Sequence, residues 1–142
     1  MQRMPTSNLQ VFATSEGLQG RVVTALSLDS STTAYVFSYG WTNDTSSIYE
    51  ASVVPVTLDT IASVAQNLAS EGYILTAFGG GGTPTFGLYL VATRLKGNFS
   101  ARTVLVFSPQ TTSESQYYAQ GYVDVAFFLD PALPTFSRIM EK

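Results

Sequence analysis

Residues 33–41 alternate strictly between large aromatic side chains and smaller ones, and this alternation restricts the segment to a β-strand. A two-residue period places successive side chains on opposite sides of an extended chain. One side of this strand carries four rings: Tyr35, Phe37, Tyr39 and Trp41. The preceding residues 21–29 also alternate, and the turn-forming residues 29–32 separate the two segments. The sequence therefore predicts a β-hairpin over residues 21–41.

Residues 57–71 have the spacing of an amphipathic helix instead. Their apolar side chains recur every three or four positions, which places them on one face of a helix. Thr57 is a favourable N-terminal cap, and Asp59 suits the positive end of the helix dipole. Gly72 suits a left-handed C-terminal cap. The sequence thus predicts one principal helix over residues 57–71.

A short second helix is predicted over residues 113–120, because the sequence that follows the principal helix recurs there. Residues 121–127 repeat the glycine, tyrosine, alanine and phenylalanine of residues 72–78. In both places, a helix that ends at a glycine would lead directly into a strand.

Further apolar or β-branched stretches predict strands at residues 48–56, 73–78, 86–95, 103–107 and 122–129. The fold class is therefore α+β, with a mainly antiparallel sheet of about six or seven strands, approaching a ferredoxin-like split βαβ order. We expect a single domain over residues 1–142. Within it, residues 1–20 form an N-terminal arm or edge strand, and residues 109–142 form a docking tail.

The residues Glu71-Gly72-Tyr73 lie between a predicted helix and a predicted strand. With them, residues 49–94 resemble a small bacterial domain of unknown function that has the order strand, helix, Glu-Gly-aromatic, strand, strand. The resemblance implies a local fold for part of the chain and implies no activity.

The chain contains no cysteine and no histidine. Disulfides, thiolate nucleophiles, the usual zinc ligands and histidine bases are therefore all excluded, and we expect no metal and no cofactor. The net charge is -3 with only seven basic residues, which argues against a nucleic-acid partner. No segment has the length of apolar sequence that a membrane span requires.

Carboxylates are the remaining acid or base groups, and those in or beside predicted elements are Glu16, Asp29, Asp44, Glu50, Asp59, Glu71, Asp124 and Asp130. They form no recognisable catalytic pair, so we expect a non-enzymatic protein, with a carboxylate-based hydrolase as the enzymatic alternative. Residues 79–82 are four glycines without the following helix of a phosphate loop, and they are interpreted as a hairpin connection.

The aromatic face of the strand at 33–41 has three interpretations: core packed under the 57–71 helix, a subunit interface, or a carbohydrate platform. Only 12% of the residues are charged and the mean hydropathy is +0.16, which favours association. We predict a structural module that self-associates as a homo-oligomer. The alternative is a carbohydrate- or small-ligand-binding module that uses this face. The composition favours an extracellular or surface-exposed protein, and a cytoplasmic one stays open.

Overall fold

The computed structural model describes residues 1–41, 46–80, 87–107, 115–129 and 136–142. These residues form nine strands and three α-helices, and the strands pair into three separate three-stranded antiparallel sheets. The α+β class with antiparallel pairing is confirmed. The predicted single sheet of six or seven strands is wrong, because strands of different sheets meet face to face and not edge to edge.

The first unit contains β1 (Gln2–Pro5), α1 (Leu9–Leu18), β2 (Arg21–Ser30) and β3 (Thr33–Gly40). β3 lies in the middle of its sheet, between β1 and β2. The hairpin predicted over residues 21–41 is β2 and β3. Of the two predictions for residues 1–20, an arm or an edge strand, the structure shows an edge strand, β1, followed by a helix that was not predicted.

The helix α1 is weakly favoured by its own sequence, because Val11, Thr14 and Gly17 all have low helix propensity. Its packing compensates for this. Leu9 and Ala13 are each only 2% exposed, so burial of one face stabilises a helix that local preference would not specify.

The second unit contains β4 (Tyr49–Val56), α2 (Ile61–Ser70), β5 (Ile74–Gly80) and β6 (Leu88–Leu95). The principal helix predicted at 57–71 is α2, which begins later, at Ile61. The preceding turn has the reciprocal bonds of a capping box: the Thr57 amide donates to Thr60 Oγ1 at 2.9 Å, and the Thr60 amide donates to Thr57 Oγ1 at 3.3 Å. Thr57 therefore caps the turn that precedes α2, whereas the N-cap residue of α2 itself is Thr60.

The third unit contains β7 (Val104–Phe107), α3 (Ser115–Ala119), β8 (Val123–Leu129) and β9 (Phe136–Glu141). The segment predicted as a docking tail thus supplies α3, β8 and β9. Ile139 and Met140 of β9 are fully buried, so β9 is part of the folded core.

The three units repeat one βαββ topology. In each sheet, the last strand of the unit lies between the other two. Each helix is followed by a glycine with positive φ: 73° at Gly20, 87° at Gly72 and 87° at Gly121, the backbone region where glycine is unstrained. The sequence similarity between residues 72–78 and 121–127 therefore reflects a repeat that also includes residues 20–26.

A β-bulge recurs at the same place in each hairpin. The register skips Thr24 in β2, Thr76 in β5 and Val125 in β8, each four residues after the glycine that ends the helix. A bulge increases local twist and bends the strand that carries it. Positions in the three units can therefore be matched by their distance from the glycine and by their hairpin partners.

The units stack in the same direction. We call the side of each sheet that carries Val36, Leu90 or Met140 its helix side, and the opposite side, which carries Phe37, Val91 or Ile139, its front side. One buried cluster joins the helix side of the first unit and α1 to Val91 and Ala77 on the front side of the second. Another joins the helix side of the second unit and α2 to Ile139 of the third.

Two glycines show how closely the units approach. A Cβ at Gly79 of β5 would lie 2.1 Å from the carbonyl oxygen of Leu26 in β2, a distance that only glycine permits. A Cβ at Gly17 of α1 would lie 2.4 Å from the carbonyl oxygen of Tyr49 in β4. Gly79 and Gly80 therefore belong to a strand and not to a hairpin connection, while residues 81 and 82 lie outside the described residues.

Candidate interaction surface

The aromatic strand face lies on the front side of the first unit and is exposed. Phe37 is 50% exposed, Tyr39 72% and Trp41 39%, and Tyr35 is half-buried. The interpretation of this face as core under the 57–71 helix is wrong. The opposite face of β3 is the core side, because Ala34 and Val36 are 0% and 1% exposed.

The matching residues of the other two units are buried. Phe37, Val91 and Ile139 occupy one position of the repeat. Their hairpin partners are the matched residues Ala25, Ala77 and Ala126. Val91 is 1% exposed and Ile139 0%. At this position, the front side is thus covered in the second and third units and open in the first.

The same contrast holds two residues further along the strand. Tyr39, Thr93 and Glu141 are matched by their hairpin partners, and they are 72%, 1% and 3% exposed. A large aromatic side chain therefore stands at the open position, where the two buried positions carry smaller or more polar ones.

The rim of the exposed face carries one ion pair. Arg3 on β1 and Asp29 on β2 lie 3.6 Å apart, with side chains 63% and 50% exposed. An ion pair this exposed contributes little to stability. The pair leaves the face without a net charge, and an apolar centre with a polar rim is typical of interaction surfaces.

A polar cluster fixes the end of the hairpin beneath this face. Glu16 of α1, only 8% exposed, accepts a hydrogen bond from Arg21 Nε at 2.7 Å and another from the Ser38 hydroxyl. Arg21 Nη2 also donates to Ser38 Oγ at 3.0 Å. Because these bonds join α1, β2 and β3, the strand that carries the rings is held on a rigid base.

Trp41 lies beyond the end of β3 and lines a cleft together with residues of the second unit. The cleft has a volume of about 270 Å³, and its other lining residues include Tyr49, Arg94, Asn98 and Arg102. The rings of Trp41 and Tyr49 are 5.5 Å apart.

Arg94 is fixed in this cleft by several contacts. Its guanidinium lies 4.4 Å from the ring centre of Tyr73 and 4.3 Å from that of Phe99. Its Nε donates to Glu50 at 2.7 Å, and its Nη1 donates to the carbonyl of Glu71 at 2.7 Å. An aromatic ring beside fixed hydrogen-bonding groups is the composition of a small polar ligand site.

The helix side of the third unit differs from the other two at two positions. Three residues before the helix-ending glycine, Gly17 and Ala69 are small and buried, whereas Tyr118 is large and 45% exposed. The second position lies three residues after that glycine, where Val23 and Leu75 are buried, at 3% and 2% exposed.

In the third unit, the exposed Asp124 stands at the position of Val23 and Leu75. The Tyr118 hydroxyl donates to Asp124 Oδ2 at 2.5 Å. The sequence analysis named Asp124 only as one of the carboxylates and missed Tyr118. Comparison of the second and third units at these positions would have identified both.

Glu141 is a buried carboxyl between the second and third units. Among the described residues, its two carboxylate oxygens have no hydrogen-bond partner. Burial raises the pKa of Glu141 from 4.5 to about 7, and the positive charge of Arg102 and the backbone of Leu75 oppose this rise only in part. In the folded chain, the Glu141 carboxyl is therefore protonated over a wider pH range than a free glutamate, up to about pH 7.

The candidate carboxylates are not brought together into a site. Glu16 and Glu50 bind arginines, Asp29 pairs with Arg3, and Asp124 binds Tyr118. Asp44 and Asp130 lie outside the described residues. Within the described ranges, no group of three acidic residues could hold a metal ion, and no described helix has the length and apolarity to cross a bilayer.

The three matched βαββ units define this chain as an internally repeated α+β protein. No family model, curated protein or solved structure matches it.

Proposed function

We propose that this chain is a non-enzymatic structural module that self-associates through the front side of its first unit. The observation that carries the proposal is the exposure of Phe37 and Tyr39 at positions that are buried in the other two units. Units of a repeat protein bury their apolar faces on neighbours, and an end that is meant to face water is usually polar. An aromatic end is typical of a surface that receives a partner.

The surface chemistry supports the same proposal. Only 12% of the residues are charged, so copies of the chain repel one another weakly. The carboxylates described above have structural partners, which supports a structural role over a catalytic one. The abundance of serine and threonine favours an assembly at the cell surface or outside the cell.

Sedimentation equilibrium over a wide concentration range tests the proposal. We expect an average mass that rises above the 15.3 kDa of one chain, and a double Phe37→Ser, Tyr39→Ser variant that stays at the mass of one chain. Val11 on α1 is 72% exposed and distant in sequence from the aromatic strand, so Val11→Ser is the matched control and should associate like the parent. A parent chain that stays monomeric at the highest concentration would refute self-association.

The second candidate is a carbohydrate-binding module, favoured by the cleft that combines Trp41 with Tyr49, Arg94 and Asn98. Trp41 is the single tryptophan of the chain, so its fluorescence reports on binding in this cleft. A panel of soluble neutral and acidic oligosaccharides should shift that emission in a saturable way. If no sugar of the panel does so at millimolar concentration, this candidate fails and self-association is unaffected.

A further inference from the structure

The two ends of the unit stack have opposite character. The first unit ends in the exposed rings of Phe37 and Tyr39. The third unit ends in the hydrogen-bonded pair of Tyr118 and Asp124. If both ends served to add further units, we would expect each end to carry the same kinds of residue that form the contacts between successive units of this chain.

The third unit lacks the features by which the other two accept a neighbour. The first strand of the second unit approaches α1 at Gly17, where even a Cβ would lie 2.4 Å from a carbonyl oxygen. At the matching position of α2, the carbonyl of Ala69 accepts the Arg102 amide at 2.8 Å. A tyrosine side chain at position 118 occupies the space that such an approach requires.

The carboxylate of Asp124 adds an electrostatic reason. Its counterparts Val23 and Leu75 are packed in the buried clusters between successive units. Burying Asp124 in such a contact would cost the desolvation of a charged group. A polar outer face is what closes the end of a repeat stack.

We infer that two copies of this chain pair front side to front side, first unit against first unit, in a closed two-fold dimer; this inference rests on the proposed self-association. Tyr118 and the charged Asp124 stand exposed on the described part of the third unit's helix side. The open front side of a second copy is therefore the better apolar partner for the front side of the first copy. A surface that pairs with its own copy makes an isologous contact, which closes at two subunits and does not propagate into a filament.

The front side suits a contact of this kind. β3 is the middle strand of its sheet, so its rings lie at the centre of the face, where residues that dominate binding are usually found. The rim charges of Arg3 and Asp29 are opposite, so two such faces meet without a net repulsion between them. Two exposed sheet faces pack at about 10 Å through interleaved side chains.

Two single variants separate this arrangement from head-to-tail stacking. Phe37→Asp blocks the front side, and Gln116→Arg, on an exposed residue of α3, blocks the helix side of the third unit. We expect the parent chain and Gln116→Arg to reach a limiting mass of twice 15.3 kDa by light scattering. Phe37→Asp should weaken the dimer by about 30-fold or more, the effect of losing a central aromatic residue.

A mixture of the two variants gives the decisive result. Front-to-front pairing predicts Gln116→Arg dimers beside Phe37→Asp monomers, with no mixed species. Head-to-tail pairing predicts the reverse: each variant alone is monomeric, and the mixture forms a one-to-one heterodimer.

That heterodimer, or a parent chain that grows beyond two copies, would overturn the two-fold dimer and leave self-association standing. A parent chain that stays monomeric would overturn both. Circular dichroism and thermal melting of each variant confirm that it is folded. Phe37→Ser, which adds no charge, provides a second front-side variant if Phe37→Asp does not fold.

Discussion

Replacing Gly17 with alanine tests whether packing between units, and not helix propensity, controls stability at this position. In an exposed helix, Gly→Ala is stabilising by about 0.5–1 kcal/mol. In this structure, the new Cβ would lie 2.4 Å from the carbonyl oxygen of Tyr49 and 3.1 Å from its carbonyl carbon. Both atoms belong to the backbone of β4, which pairs with β6 along its whole length. They cannot move aside as a flexible side chain could.

We therefore expect Gly17→Ala to destabilise the chain by about 1–3 kcal/mol, the usual cost of overpacking and opposite in sign to the propensity effect. Urea unfolding followed by circular dichroism measures the difference. Ser15→Ala, on the exposed side of the same helix, is the control and should change stability by less than about 0.5 kcal/mol. If Gly17→Ala were as stable as the parent or more so, the close contact between α1 and β4 would be disproved.

Two further predictions concern the joints between units. The folded-state pKa of Glu141 lies above its ordinary value, at about 7 against 4.5, so folding binds a proton and stability falls as the pH rises from 4.5 through 7. A pKa shift of this size changes the free energy of unfolding by about 3 kcal/mol unscreened and by about 1–2 kcal/mol after screening by solvent. Glu141→Gln should remove that part of the pH dependence, measured by urea unfolding at pH 5 and pH 8. An unchanged pH dependence would contradict the raised pKa. The Gln10 side chain donates to the carbonyl of Ala51 at 2.9 Å and accepts from the amide of Val53 at 2.8 Å. Gln10→Ala should therefore lower the free energy of unfolding by about 0.5–1.5 kcal/mol. An unchanged melting temperature would show that water replaces both bonds.

Local patterns in the sequence predicted most of the single elements. The alternation in residues 21–41 identified the first hairpin, and the spacing in residues 57–71 identified α2. These signals are local, since they depend on side chains that share one face of one element. The helix α1 was missed because Gly17 and its β-branched neighbours disfavour a helix, and the reason for Gly17 is a contact with β4, far away along the chain.

The arrangement of strands into three sheets was not predictable in the same way. Alternation shows which residues share a face, but it does not show which strand lies beside which. The similarity of residues 72–78 and 121–127 was visible, whereas residues 20–26 share too few identities for the first copy to be recognised. Its membership follows from the positive φ of Gly20 and the bulge at Thr24, which are properties of the backbone.

The exposure of the aromatic face depends on the order of the units. Phe37, Val91 and Ile139 occupy one position of the repeat, yet only the first is open to solvent, because each later sheet is covered by the unit before it. Burial at this position is therefore decided by a neighbouring unit and not by the strand itself. The sequence of one strand cannot distinguish a core residue from an interface residue when both require a large apolar side chain. The third unit shows the same kind of difference, because Asp124 is exposed at the position that a valine and a leucine occupy in the other two units. Differences between matched positions thus identify exposed faces of the units that the sequence of one strand does not reveal.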